Sequence, residues 1–157
     1  MRGIILPSIT FEPLALDGGA ALTHPDPHPE EVLGLLKRRT AETRIAVVGA
    51  SNSPEKYGNI IVRNLMGKGF TVLPVNPRES QVAGLTAYPN LRELPKPVHV
   101  VDIVTPPAVT LSVLHEATEC GIDAVFLQDG SFDDSVLAYA ATAPFKTVYN
   151  ACIMVVT

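Results

Sequence analysis

Ile45-Ala46-Val47-Val48-Gly49-Ala50-Ser51 is the stretch whose reading decides the fold. It is a short apolar run, rich in β-branched residues, that ends in glycine and opens into a small-residue loop. Such a run suits a strand buried on both faces, as in a parallel sheet. Four more runs follow: Phe70-Thr71-Val72-Leu73-Pro74-Val75, Val98-His99-Val100-Val101-Asp102-Ile103-Val104, Ala124-Val125-Phe126-Leu127 and Thr147-Val148-Tyr149. Helix-length segments separate most of them. Residues 59–67 carry Ile61, Leu65 and Met66 on one side, and residues 108–120 carry Leu111, Leu114 and Ala117 before Gly121. Residues 133–143 begin acidic and carry Val136, Leu137 and Ala140. A further helix is predicted ahead of the first strand, over residues 29–40, with Glu30 and Glu31 at its positive end and Lys37, Arg38 and Arg39 at its negative end. The alternation predicts an α/β chain: a Rossmann-like three-layer fold whose mostly parallel, doubly wound sheet has five or more strands.

The chain has 157 residues, of which 46% are hydrophobic, enough for one domain with a full core. That domain is expected over residues 29–157. Residues 1–28 read as an extension, extended or packed on the surface, because Gly18-Gly19 and His24-Pro25-Asp26-Pro27-His28-Pro29 break regular structure. The formal net charge of -4 argues against general nucleic-acid binding, which needs a basic face. No stretch has the length of a membrane span, and the first residues do not form a signal peptide, so a cytoplasmic protein is expected. Two cysteines, Cys120 and Cys152, do not make a disulfide framework.

In an open parallel sheet, ligands sit beyond the carboxyl ends of the strands, so the loops there are the candidates. After the first strand, Gly49, Ala50 and Ser51 lead to a helix start, a ready site for an anion, with Lys56 able to add a cation. The loop lacks the G-x-G-x-x-G spacing: serine stands at the second glycine position, and Gly58 comes late, which implies a wider turn. The plainer reading is an ordinary strand-to-helix turn. After the second strand comes Val75-Asn76-Pro77-Arg78, where an NAD site usually holds an acidic residue. Arg78 suits a ribose phosphate instead, as carried by NADP and by CoA; the plainer reading is a surface charge beside an Asn-Pro turn. Thr105-Pro106-Pro107 offers a rigid apolar wall, or simply a helix start. Gln128-Asp129-Gly130-Ser131 offers polar contacts, or a turn into a helix capped by Ser131 or Asp133.

Taken together, Gly49-Ala50-Ser51, Val72-Leu73-Pro74-Val75-Asn76-Pro77, Pro106-Pro107, Leu127-Gln128 and Cys152-Ile153-Met154 resemble the small CoA-binding domain proteins. The fold of those proteins is similar to the N-terminal domain of the succinyl-CoA synthetase alpha subunit. The resemblance covers roughly residues 32–156. It implies that Gly49, Ala50, Ser51 and Lys56 meet the phosphates of CoA. It implies that Val75, Asn76, Pro77 and Arg78 meet the adenosine end, and that Thr105, Pro106 and Gln128 border the pantetheine path. Near the last strand the family often has Asp or Asn, then Arg and Cys; here the run is Tyr149-Asn150-Ala151-Cys152, without the arginine.

Other residues suggest less. Cys152 reads as a buried structural cysteine, although a reactive thiol near a CoA thiol is the alternative. Cys120 reads as packing. His24, Asp26 and His28 lack a second cluster to complete a metal site, so no metal is expected. His99 reads as a core or cross-strand residue, and His115 has no nucleophile placed to pair with it. Asp102 interrupts an apolar strand and needs partners, as a structural acceptor or as a general base. No catalytic residues are assigned, and whether the chain is an enzyme stays open. The leading expectation is a CoA or acyl-CoA binding module, a sensor or carrier, since a ligase of the related type needs further domains. The alternatives are an NADP-binding oxidoreductase or redox sensor, and an interaction scaffold with a vestigial pocket. A homodimer or another protein partner is compatible with the sequence, which fixes no interface.

Overall fold

In the computed structural model, which describes residues 27–157, each of the five apolar runs forms a strand of one parallel sheet. In chain order the elements are α1 (Glu30–Lys37), β1 (Arg44–Val48), α2 (Tyr57–Gly67), β2 (Thr71–Val75), β3 (Gln81–Val82) and β4 (Leu85–Thr86). Then come a 3-10 turn (Leu91–Glu93), β5 (Val100–Ile103), α3 (Pro107–Glu119), β6 (Ala124–Leu127), α4 (Asp134–Thr142), β7 (Lys146–Val148) and α5 (Ile153–Val156). The sheet order is β2-β1-β5-β6-β7, so the strand order switches between β1 and β5. The expectation of a three-layer fold with a parallel, doubly wound sheet is met. The extension expected over residues 1–28 lies outside the described residues, except for Pro27 and His28.

Alternation along the strands sends side chains into two cores. Ile45, Val47, Val72, Val100, Phe126 and Val148 pack under α1, α2 and α5, against Leu36, Ile61, Leu65 and Ile153. Ala46, Val48, Leu73, Val75, Val101, Ile103, Val125 and Leu127 pack under α3 and α4, against Leu114, Ala117, Val136 and Ala140. The near-continuous apolar runs follow from this, because both faces of the sheet are covered.

Element ends differ from the sequence reading where local bonding decides them. Phe70 is not in β2. Its N–H donates to Leu65 O, and Gly69 N–H donates to Met66 O with Gly69 at φ +98°, a left-handed stop to α2. Helix α1 ends at Lys37, short of residue 40, and Arg39 takes φ +48° to turn the chain toward β1. Asp133, not Ser131, caps α4: its carboxylate accepts from Val136 N–H at 3.0 Å.

The outer edge of β2 is finished by its own proline. Thr71 N–H donates to Thr43 O on the β1 side, so the alternate residues Val72 and Pro74 face outward. Proline has no N–H to present there, and its carbonyl accepts from Tyr88 N–H at 2.9 Å.

Candidate functional site

The loops after β1, β2 and β5 meet where the strand order switches, as expected for an open parallel sheet. Gly49 turns the chain out of β1 at φ +96°; a Cβ there would stand 2.6 Å from Val104 Cγ2. Nine residues later, Gly58 brings the first turn of α2 against that loop. A Cβ on Gly58 would stand 2.0 Å from the carbonyl oxygen of Gly49. Between the two glycines the loop is held from inside. Ser51 Oγ accepts from Ser53 N–H at 3.0 Å, and Asn59 Nδ2 donates to Ser51 O at 2.8 Å.

Two asparagines tie this loop to its neighbours. Asn76 Nδ2 donates to Ala50 O at 2.8 Å while Asn76 Oδ1 accepts from Arg78 N–H at 2.8 Å. Asn52 Nδ2 donates to Gln81 O at 2.7 Å, and its Oδ1 accepts from Ala83 N–H at 3.2 Å, which pins the β3–β4 hairpin. On the far side, Pro106 and Pro107 both wall the cleft and start α3. Thr105 Oγ1 and Thr110 Oγ1 lie 2.9 Å apart and fix that corner.

The resulting cleft has two connected hollows. The inner one has a volume of about 330 Å³ and is bordered by Val48, Gly49, Ala50, Ser51, Lys56, Val75, Asn76, Pro77, Pro89, Asn90, Leu91, Thr105, Val109, Val113 and Glu116. The outer one, about 680 Å³, shares Gly49, Ser51, Lys56, Asn76, Pro77, Thr105 and Val109, and adds Ser53, Tyr57, Gly58, Arg78, Glu79, Val104 and Pro106. The amides of Tyr57 and Gly58, at the start of α2, have no hydrogen-bond partner among the described residues. Unpaired amides at a helix start, beside Lys56 and Arg78, have the chemistry that anionic oxygens need. The apolar side chains of the inner hollow suit a flat or aliphatic group.

Ten of the eleven residues expected in the site therefore border one cleft: Gly49, Ala50, Ser51, Lys56, Val75, Asn76, Pro77, Arg78, Thr105 and Pro106. Gln128 does not. It is buried, and its Nε2 donates to Asp102 Oδ1 at 2.5 Å, turned into the sheet rather than toward the cleft. Asp102 accepts that bond, while its Oδ2 has no partner among the described residues. Burial pushes the Asp102 carboxyl up to about 8, and the Gln128 bond only partly offsets this.

Cys152 is half-buried rather than buried. It sits at the start of α5, with Sγ 3.1 Å from the Tyr57 hydroxyl. That hydrogen bond, then burial, pushes the Tyr57 hydroxyl up to about 12. Cys120 packs against the α3–α4 core as expected. His99 lies just ahead of β5, where its Nδ1 accepts from Arg44 N–H at 3.0 Å, and His115 stacks on Tyr139. His24 and Asp26 lie outside the described residues. Among the described residues no group of three His, Cys, Asp or Glu side chains is placed to hold a metal. None of the described helices is long and apolar enough to cross a membrane.

Sequence reasoning read Gly58 only as the late glycine of a wider turn, and missed Asn52, Pro89, Asn90, Leu91 and the α3 residues Val109, Val113 and Glu116. Spacing signals a turn or a helix face, but not which of them close on one another across the sheet.

Comparison with known proteins agrees with this geometry. The chain is 38% identical over 92 residues to the alpha subunit of an ADP-forming acetate–CoA ligase II from Pyrococcus furiosus. The match covers 58% of this chain but only 20% of that subunit, so the chain spans about a fifth of its relative's length. A solved structure of a conserved hypothetical protein from the same organism superposes with a TM-score of 0.71 at 44% identity, over 73% of this chain and 99% of the other. A hypothetical protein from Pyrococcus horikoshii OT3 superposes with a TM-score of 0.74 at 31% identity, over 85% and 94% of the two chains. The CoA binding domain profile matches residues 43–157, which contain the whole cleft, and the chain belongs to that family of CoA binding domains.

Proposed function

We propose that this chain binds coenzyme A, or an acyl-CoA, in the cleft beyond β1, β2 and β5, and serves as a carrier or sensor without chemistry of its own. The observation that carries the reading is the division of the cleft. Free amides of Tyr57 and Gly58 lie with Arg78 at the outer hollow, Lys56 borders both hollows, and the inner hollow adds the apolar side chains of Val48, Leu91 and Val113. A CoA molecule has matching parts: three phosphates, a flat base, and an arm in which methylene and methyl groups alternate with amides. Arg78 borders the outer hollow, and its fork of donors suits the dianion of a ribose phosphate.

Thermal unfolding with CoA, acetyl-CoA, dephospho-CoA, NAD and NADP tests this. At about a hundredfold its dissociation constant a ligand adds roughly 2.7 kcal/mol to stability. CoA and acetyl-CoA are expected to raise the unfolding temperature, with dephospho-CoA weaker. Arg78→Ala is expected to lower CoA affinity about tenfold and to leave dephospho-CoA binding almost unchanged. A rise with NADP alone would replace this reading by a nicotinamide-nucleotide protein. No rise with any of the five would leave an interaction scaffold.

A further inference from the structure

Among the described residues Asp102 is the only Asp, Glu, Lys or Arg that is buried, and it takes no part in lining the cleft. Its register partners are Val47 on β1 and Phe126 on β6, which face the core under α1, α2 and α5. Residues level with one another in a sheet point to the same face, so Asp102 lies on that side. Its Oδ1 accepts from Gln128 Nε2, and Oδ2 finds no donor among the described residues. No ion pair among the described residues includes it. A carboxyl with one neutral donor and no cation, deep in an apolar core, is held as the neutral acid.

This carboxyl stands behind the outer hollow. Val104 and Thr105, two and three residues further on, border that hollow, and Val104 N–H donates to Val48 O at the root of the first loop. On the same side, α1 buries only Val32 and Leu36, both apolar. The titratable groups that share the corner are Tyr57 from α2, Cys152 at the start of α5 and Asp129 from the loop after β6. The Tyr57 hydroxyl is pushed up first by its bond to Cys152 and by burial, and then by the charges of Cys152, Asp102 and Asp129. A charge on Asp102 therefore acts on the first residue of α2, whose amide is one of the two left unpaired. None of the three neighbours is a cation that could cancel it.

On the reading that the cleft holds a CoA-type nucleotide, we propose that Asp102 couples ligand binding to the uptake of a proton. As the neutral acid it leaves the start of α2 free to attract phosphate. As the anion it sets a negative charge behind those amides and opposes the phosphates, so a bound ligand draws the proton back. Binding weakens as pH rises through the range in which Asp102 ionises in the free protein.

Calorimetric titration of the full chain with acetyl-CoA at pH 8, in Tris and in HEPPS, counts the protons exchanged, because the two buffers release protons with different heats. The sulfur of acetyl-CoA carries no proton, and its phosphates are fully ionised at this pH. With a coupling of about fivefold at a group that titrates near pH 8, wild type is expected to take up about a third of a proton per ligand, and Asp102→Asn none. The affinity of Asp102→Asn relative to wild type should rise about fourfold between pH 6.5 and pH 9. No uptake by wild type, or the same uptake in both proteins, would overturn the coupling and leave Asp102 as a group that bears on stability alone. Ligand-free unfolding reports whether the variant folds. If it does not, the carbon-13 resonance of the Asp102 carboxyl in wild type decides: its titration midpoint moves up when acetyl-CoA is bound, or stays in place and refutes the coupling. If wild type binds no acetyl-CoA at pH 6.5, the CoA reading fails and the coupling with it; binding without proton uptake removes the coupling alone.

Discussion

Gly58 does its work by lacking a side chain. Because α2 starts against the carbonyl of Gly49, its first residues, Tyr57 and Gly58, border the outer hollow of the cleft. A dinucleotide fingerprint uses a glycine for the same close helix-to-strand approach, but with shorter spacing. Gly58→Ala is therefore expected to cost at least about 2–3 kcal/mol in urea unfolding, since the clash is with backbone that cannot move aside cheaply. Calorimetry on the same variant should show CoA binding weakened or lost. The sequence displayed Gly49-Ala50-Ser51 as a turn, but it could not show that a glycine nine positions on closes the same loop. Gln128 was illegible for a related reason. A polar residue just past a strand looks the same whether it faces a ligand or, as here, a buried carboxyl on the next strand.

At the scale of elements, the five strands and four long helices were readable, because burial on both faces leaves continuous apolar runs and the helices keep one-sided stripes. The connection between β2 and β5 was not. It holds a hairpin of two-residue strands, with Ala83 at φ +51° and Gly84 at φ +81° as a mirror-image turn, and then the 3-10 turn capped by Asn90. Strands that short carry no periodicity, yet Pro89, Asn90 and Leu91 form one wall of the inner hollow. Asn76 clips this connection to the first loop by donating to Ala50 O and accepting from Arg78 N–H. Asn76→Ala is expected to lower stability by about 1–2 kcal/mol in chemical unfolding. It should also weaken CoA binding in calorimetry, because two walls of the cleft lose their common tie.

For the molecule as a whole, Asp102 sets a pH dependence. Its pKa is pushed from about 3.8 to about 8 by burial in the sheet, so between those values the folded chain holds a proton that the unfolded chain has lost. Stability contributed by this group is therefore full at low pH, falls as pH rises from about 4 to about 8, and is level above that. The loss is of the order of a few kcal/mol. Asp102→Asn keeps an acceptor for Gln128 and stays neutral. Urea unfolding should show the variant close to wild type at pH 5 and clearly more stable than wild type at pH 8.5. A difference that does not change with pH would show that Asp102 is not the titrating group. The two edges of the sheet bear on a different property. Pro74 presents no N–H, Tyr88 occupies the outward carbonyl and amide of Pro74 and Asn76, and at the other edge the three-residue β7 begins with Lys146 while Tyr149 N–H is taken by Pro27. An open row of such groups is what lets one chain template another into fibrils. Among the described residues these features shorten the open row at both edges, which disfavours growth of the sheet from molecule to molecule.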